Sequence, residues 1–129
     1  MKLKLALLFG AAALLLAGGA RSSSAGVILT PIIFLGGGSQ LVCVANSISP
    51  QSVAVAVTIV GNTSNGSSNC TVSSANRDGC QAFLTGQSGH CRISVASLSD
   101  AEVQARFRGV LFSRITVSPF TVFTTVEAR

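Results

Sequence analysis

A chain of 129 residues lies within the size of one domain, so no second catalytic or regulatory domain is expected. Charged residues make up only 10% of it, against about 25% in ordinary soluble domains, so Ser, Thr, Asn, Gln and Gly must cover most of the surface. Trp and Tyr are both absent. That removes the usual stacking platforms for sugars and single strands, and no nucleic acid is expected as a partner.

Met1 to Ala20 has Lys2 and Lys4, an apolar run from Leu5 to Leu16, and the small residues Ala17-Gly18-Gly19-Ala20. This three-part pattern predicts a secretory signal peptide cleaved after Ala20. The apolar run falls well short of the roughly 20 residues a membrane-spanning helix needs, so no integral membrane segment is expected after cleavage. No cysteine follows the small residues, which argues against a lipid anchor. The expected organisation is a signal peptide over 1–20, a flexible leader over 21–26 and one domain over 27–129. The whole chain carries a formal charge of +5; without Lys2 and Lys4, seven Arg stand against Asp78, Asp100, Glu102 and Glu127, leaving +3.

Val27 to Leu35 is rich in β-branched residues, but Pro31 lacks a backbone donor, so this must be an edge strand or two short pieces. Leu41 to Asn46 reads as the next strand. Ser49-Pro50-Gln51 then supplies a turn, predicting a hairpin with the strand from Ser52 to Gly61. In that strand Val53, Val55, Val57 and Ile59 fall on one side, and Ala54, Ala56 and Thr58 on the other. Gly61 to Ser68 holds an Asn-Gly pair and no large apolar residue, so it reads as an exposed loop. Short strands follow at Cys70 to Ser73 and Gln81 to Leu84. A turn at Thr85 to Gly89 leads into Cys91 to Val95, with Cys91, Ile93 and Val95 facing inward.

Ser99 and Glu102 have capping-box spacing, yet Val103 to Arg108 alternates as a strand does, so any helix here should be one turn. Val110 to Val117 and Phe120 to Val126 are the last strands. Seven to nine short strands with turn chemistry between them predict an all-β fold, an antiparallel sandwich. A membrane β-barrel is disfavoured, since its strands approach ten residues and its interfaces carry aromatic girdles. Phe83, Phe107, Phe112, Phe120 and Phe123 are expected in the core.

The four cysteines Cys43, Cys70, Cys80 and Cys91 all follow the signal segment, and an even count in a short exported chain predicts disulfides. Their gaps are long and no Cys-x-x-Cys occurs, so neither a zinc site nor another metal or cofactor is expected. Four cysteines allow three connectivities. The favoured one joins Cys43 to Cys91, both on apolar alternating strands, and Cys70 to Cys80 across a polar loop. Its main competitor joins Cys80 to Cys91 and Cys43 to Cys70.

Leu41-Val42-Cys43-Val44-Ala45-Asn46, the Val53 to Ile59 strand, Cys91-Arg92-Ile93-Ser94-Val95 and Val103-Gln104-Ala105 occur in that order. The set resembles small exported bacterial proteins with an immunoglobulin-like sandwich, in which a Cys-x-x-x-Asn strand precedes a Cys-Arg strand. The resemblance covers Leu41 to Phe107. It implies an immunoglobulin-like fold and a secreted or periplasmic address, but no activity.

Catalytic chemistry is thinly represented. His90, with a serine and Asp78 or Asp100, could be drawn as a hydrolytic triad, but nothing resembles Gly-x-Ser-x-Gly. Asp100 and Glu102 lack a third ligand nearby, and Gly36-Gly37-Gly38 lacks the Lys of a phosphate loop. Arg92, Arg106 and Arg108 take outward positions on their expected strands. If those strands are neighbours, the three form a basic stripe for an anionic ligand or surface; otherwise they keep edges soluble. Three Asn-x-Ser/Thr acceptors, at Asn62, Asn65 and Asn69, crowd one polar segment.

The expectation is therefore an exported, non-enzymatic structural or interaction module. It would pair with another envelope or secreted protein through a sheet face or an edge such as Val27 to Leu35 or Phe120 to Val126. An anion-binding protein is the alternative, and a small secreted hydrolase around His90 the second.

Overall fold

The computed structural model describes residues 24–35, 38–75, 79–115 and 122–128, without the side chains of 122–124. Residues 1–20, over which a signal peptide is expected, and Asp78, Phe120 and the side chain of Phe123 lie outside the described residues.

Eight strands and one short helix follow in order: β1 Gly26–Leu29, β2 Ser39–Ser47, β3 Val53–Gly61, β4 Asn65–Val72, β5 Cys80–Thr85, β6 Gly89–Val95, α1 Asp100–Arg106, β7 Phe107–Ile115 and β8 Val122–Ala128. They form two antiparallel four-stranded sheets, β1-β6-β3-β4 and β5-β2-β7-β8, here sheets A and B. The fold is a sandwich. Alternation decides which side chains fill it, because successive residues of a strand point to opposite faces. Val55, Val57 and Ile59 of β3 and Cys91, Ile93 and Val95 of β6 meet Leu41, Cys43 and Ala45 of β2 and Leu111 of β7 in one buried core.

Consecutive strands mostly lie in different sheets, for a reason visible in the pairing. Ala45 pairs with Cys80 at the end of β2–β5, and Val53 pairs with Val72 at the start of β3–β4. Residues 46–52 and 73–79 separate those pairs equally, so the pairings on either side of the bend share one register. A Ser74 N–H to Ser49 O bond of 2.7 Å lies within it. Strands β2 to β5 are therefore one long hairpin folded over the corner of the sandwich. On its other side β6 pairs with β3 and β7 with β2, leaving the β2–β3 arm central in both sheets.

This arrangement corrects two expectations. Ser49-Pro50-Gln51 does not close a hairpin, since β2 and β3 occupy different sheets. The hairpin closes instead between β3 and β4, and Asn65 to Ser68, expected as loop, are strand. Their Ser, Asn and Gly residues sit on an edge strand whose outer face meets water, so no apolar alternation was needed. Gly66 has a further role: a Cβ there would run into the Phe83 carbonyl, so glycine lets β4 close onto β5.

Disulfides join Cys43 to Cys91 and Cys70 to Cys80, with Cα separations of 6.0 and 5.6 Å. These are the pairs favoured from sequence. Each crosses between sheets, the first from β2 to β6 in the centre and the second from β4 to β5 at the edge.

The helix is longer than expected. Ser99 Oγ accepts from the Glu102 N–H and the Glu102 carboxylate accepts from the Ser99 N–H, a complete capping box. Val103 to Arg106 are therefore helical, and only Val103 among them is buried. Strand alternation and a short amphipathic helix read alike over four residues, and the cap decided between them. Asp100 is not half of an acid pair: its Oδ1 accepts from the Val27 N–H at 2.7 Å and ties α1 to β1.

Of the phenylalanines, Phe107 is core, but Phe83 is 44% exposed and Phe112 shares its outward face on sheet B. Between them on that face lies Val42, only 1% exposed. Arg114 sits over the Phe83 ring, 5.5 Å from its centre, and donates through Nε and Nη2 to Gln40 Oε1.

Candidate functional site, an apolar ridge beside beta6

Strand β1 pairs with β6 from Gly26–Val95 to Leu29–Arg92, which sends Ile28 to the core and Leu29 outward. Pro31 then ends the ladder. The chain does not leave the sheet. The Thr30 N–H donates to Cys91 O at 3.0 Å, and the Thr30 hydroxyl accepts from the Cys91 N–H at 2.8 Å and donates to Pro31 O. One buried side chain thus supplies the acceptor that the proline turn takes away.

Beyond it, Ile33 and Gly89 exchange two backbone bonds of 2.9 and 3.1 Å, and the Leu35 N–H reaches Ser88 Oγ at 2.9 Å. Pro31 and Ile32 are consecutive exposed residues, so the alternation slips by one: Ile28 and Thr30 are buried before it, and Ile33 after it. Ile32 and Phe34 are left outside.

Among the described residues, five large apolar side chains are exposed, and three belong to this segment: Leu29 at 48%, Ile32 at 56% and Phe34 at 83%. They are held on a backbone pinned to β6 at both ends, and β6 is itself bonded through Cys91 to β2. An exposed aromatic on a rigid support loses little conformational entropy when covered, which suits it to anchor a contact.

The flanks add charge and shape. Arg92, exposed, is the cross-strand neighbour of Leu29, and His90 is two residues back on the same face, half-buried opposite Val60. Beside them the outer face of sheet A is a shallow trough of about 490 Å³, floored by Ala54, Ala56, Ser94 and Ala96 with Asn69 and Thr71 beyond.

The three arginines expected to form a stripe are not brought together. Arg92 lies on β6 in sheet A and Arg108 on β7 in sheet B, while Arg106 ends α1 and faces Glu102 at 3.7 Å. That pair is exposed and contributes little. Arg108 Nη1 donates to the Gln104 and Phe107 carbonyls at 2.8 and 2.7 Å, closing the helix end. Arg92 alone stands beside the ridge. The Glu102 carboxyl is held below its usual value by hydrogen bonds from the Ser99 backbone and hydroxyl, with Arg106 adding less.

Sequence reasoning placed an edge at Val27 to Leu35 but did not single out Ile32 and Phe34. Pro31 within a β-branched run was the usable signal, because it breaks the two-residue period and leaves one side of the run unburied. No family model, curated protein or solved structure matches this chain.

Proposed function

We propose that this protein is an exported, non-enzymatic interaction module, secreted or periplasmic, that docks another envelope or secreted protein through the Leu29–Ile32–Phe34 ridge. The observation that carries the reading is the concentration of exposed apolar side chains on one pinned segment. Contiguous apolar surface rimmed by polar residues is the usual mark of a protein contact. Arg92 beside Leu29 favours a partner that brings an acidic group to an otherwise apolar patch. Two disulfides support an address outside the reducing cytoplasm. No helix among the described residues is long and apolar enough to cross a membrane.

What supports a likeness to immunoglobulin-like domains is two facing sheets and a disulfide between their central strands. The strand order β1-β6-β3-β4 over β5-β2-β7-β8 is its own, since in the constant-type immunoglobulin order the first two strands are neighbours.

A photoreactive residue at position 34 tests the proposal in the native compartment. One discrete adduct is expected there, lost on Ile32→Ser and absent when the probe stands at the exposed Gln51, at the far end of β3. An adduct pattern identical at 34 and 51 would remove the ridge as the contact.

A further inference from the structure

Each sheet has two edge strands, and three of the four edges meet other parts of the described structure. Strands β4 and β5 lie together at one side of the sandwich, joined by Cys70–Cys80 and by the close approach at Gly66. Strand β1 is covered at its start by the helix region: the Gly26 N–H bonds Leu98 O at 2.7 Å, and the Val27 N–H, which points away from β6, bonds Asp100 Oδ1 at 2.7 Å. Strand β8 is different. Among the described residues it pairs with β7 on one side and with nothing on the other.

An open edge is a template for another strand, and proteins usually blunt it with Lys, Pro or a bulge. Strand β8 contains neither Lys nor Pro, and its bulge lies at one end, where pairing shifts from Ser113–Thr124 to Arg114–Val122. Thr124 to Ala128 remain regular.

We infer that this regular stretch of β8 pairs antiparallel with its counterpart in a second copy, so that sheet B runs on across a two-fold axis as an eight-stranded sheet. The two-fold must stand perpendicular to the sheet, because only then does an antiparallel partner present the same face. Centred on Val126, the pairing sets Thr125 of each copy opposite Glu127 of the other. Both residues are exposed and face outward. Glu127, the single charge of β8, thereby avoids its own copy, so the strand is compatible with itself.

The row Phe83–Val42–Phe112–Thr125 on the outer face of sheet B would continue into the second copy. The cavity of about 310 Å³ at the β1–β8 seam, lined by Ile28, Phe107, Arg108 and Glu127 among others, would lie at the joint. One strand pair falls at the small end of specific interfaces, so dissociation in the micromolar range is expected. The inference is independent of the ridge, which lies on sheet A.

Sedimentation equilibrium of the oxidised protein tests it. The expected result is a reversible monomer–dimer equilibrium, and a monomer at millimolar concentration would overturn the inference. The sign of charge at position 125 tests the register. Two 125–127 contacts form per dimer, so Thr125→Glu should raise the dissociation constant several-fold, whereas Thr125→Lys should lower it or leave it unchanged. Ser67→Glu on the β4 edge should have no effect. Equal effects of Glu and Lys at 125, or a matching effect at 67, would refute the pairing. Phe34→Ser should leave the dimer intact, which separates this outcome from that of the docking ridge.

Discussion

The two disulfides should contribute unequally, and their spacing sets the difference. Cys43–Cys91 spans a sequence separation of 48 and Cys70–Cys80 one of 10. In the chain-entropy description the longer loop restrains the unfolded chain by about 4 kcal/mol and the shorter by about 2.7 kcal/mol. The gap of about 1.4 kcal/mol depends only on the ratio of the loops, so the uncertain constant in that relation drops out. Cavity effects act in the same direction, because Cys43 and Cys91 are both fully buried whereas Cys70 is partly exposed. Guanidinium unfolding of the paired variants Cys43→Ala/Cys91→Ala and Cys70→Ala/Cys80→Ala, each with its own slope, measures both losses. The first variant should be less stable than the second by about 1.4 kcal/mol or more, and should melt roughly 6–11 °C lower. Equal losses, or a larger loss for the Cys70–Cys80 pair, would refute the reasoning: stabilisation would then come from native contacts at the β4–β5 edge and not from the unfolded chain.

Other substitutions probe single features. Phe34→Ser should shift stability by less than about 0.5 kcal/mol, whereas Ile33→Ala, one residue away but 4% exposed, should cost about 2–4 kcal/mol by chemical denaturation. Gly66→Ala should cost about 1–3 kcal/mol, because its Cβ meets the Phe83 backbone, which cannot yield as a flexible side chain would. Ser99→Ala should cost about 1 kcal/mol at neutral pH through loss of the cap. The Glu102 carboxyl is depressed below its ordinary 4.5, so its contribution is complete above that value and lost as the pH falls through the folded-state value. The Ser99→Ala penalty should accordingly shrink on acidification, and in a Glu102→Gln background it should lose that pH dependence; an NMR titration of Glu102 reads the same shift directly.

What was legible in the sequence was whatever one period or one spacing determines alone. The Val53 to Ile59 alternation located β3 and its buried face, and Ser99 with Glu102 located the helix start. Cys43 and Cys91 fell on strands of apolar alternation, and Cys70 and Cys80 flanked a polar loop, which favoured the observed pairs over their competitor. Less was legible where two readings share a pattern. Val103 to Arg106 fits both a strand and a short helix, and Asn65 to Ser68 has loop composition because one face of an edge strand is wet. The partition of strands between sheets was not legible. Ser49-Pro50-Gln51 has turn chemistry whether the chain folds back beside itself or bends over a corner, and only pairing with β4 and β5 distinguishes the two. The arginine stripe failed for the same reason, since it presumed that the strands carrying Arg92 and Arg108 were neighbours.

The placement of the disulfides also explains how the ridge is held. Phe107 is the only aromatic in the described core, which otherwise consists of Val, Ile, Leu, Ala and Cys. Such side chains individually bury less area than Trp or Tyr, so each contributes less to holding two sheets together. Cys43–Cys91 lies at the centre of both sheets, and Cys91 also bonds Thr30 through its N–H and its carbonyl. The residue that staples the core therefore also seats the turn that exposes Ile32 and Phe34. Removing that bond should loosen the ridge before it unfolds the domain. In hydrogen exchange of Cys43→Ala/Cys91→Ala, the Ile33 amide, bonded to Gly89 O, should lose more protection than amides of the β3–β4 hairpin. Uniform loss across both regions would show that the disulfide supports the sandwich as a whole, with no special hold on the ridge.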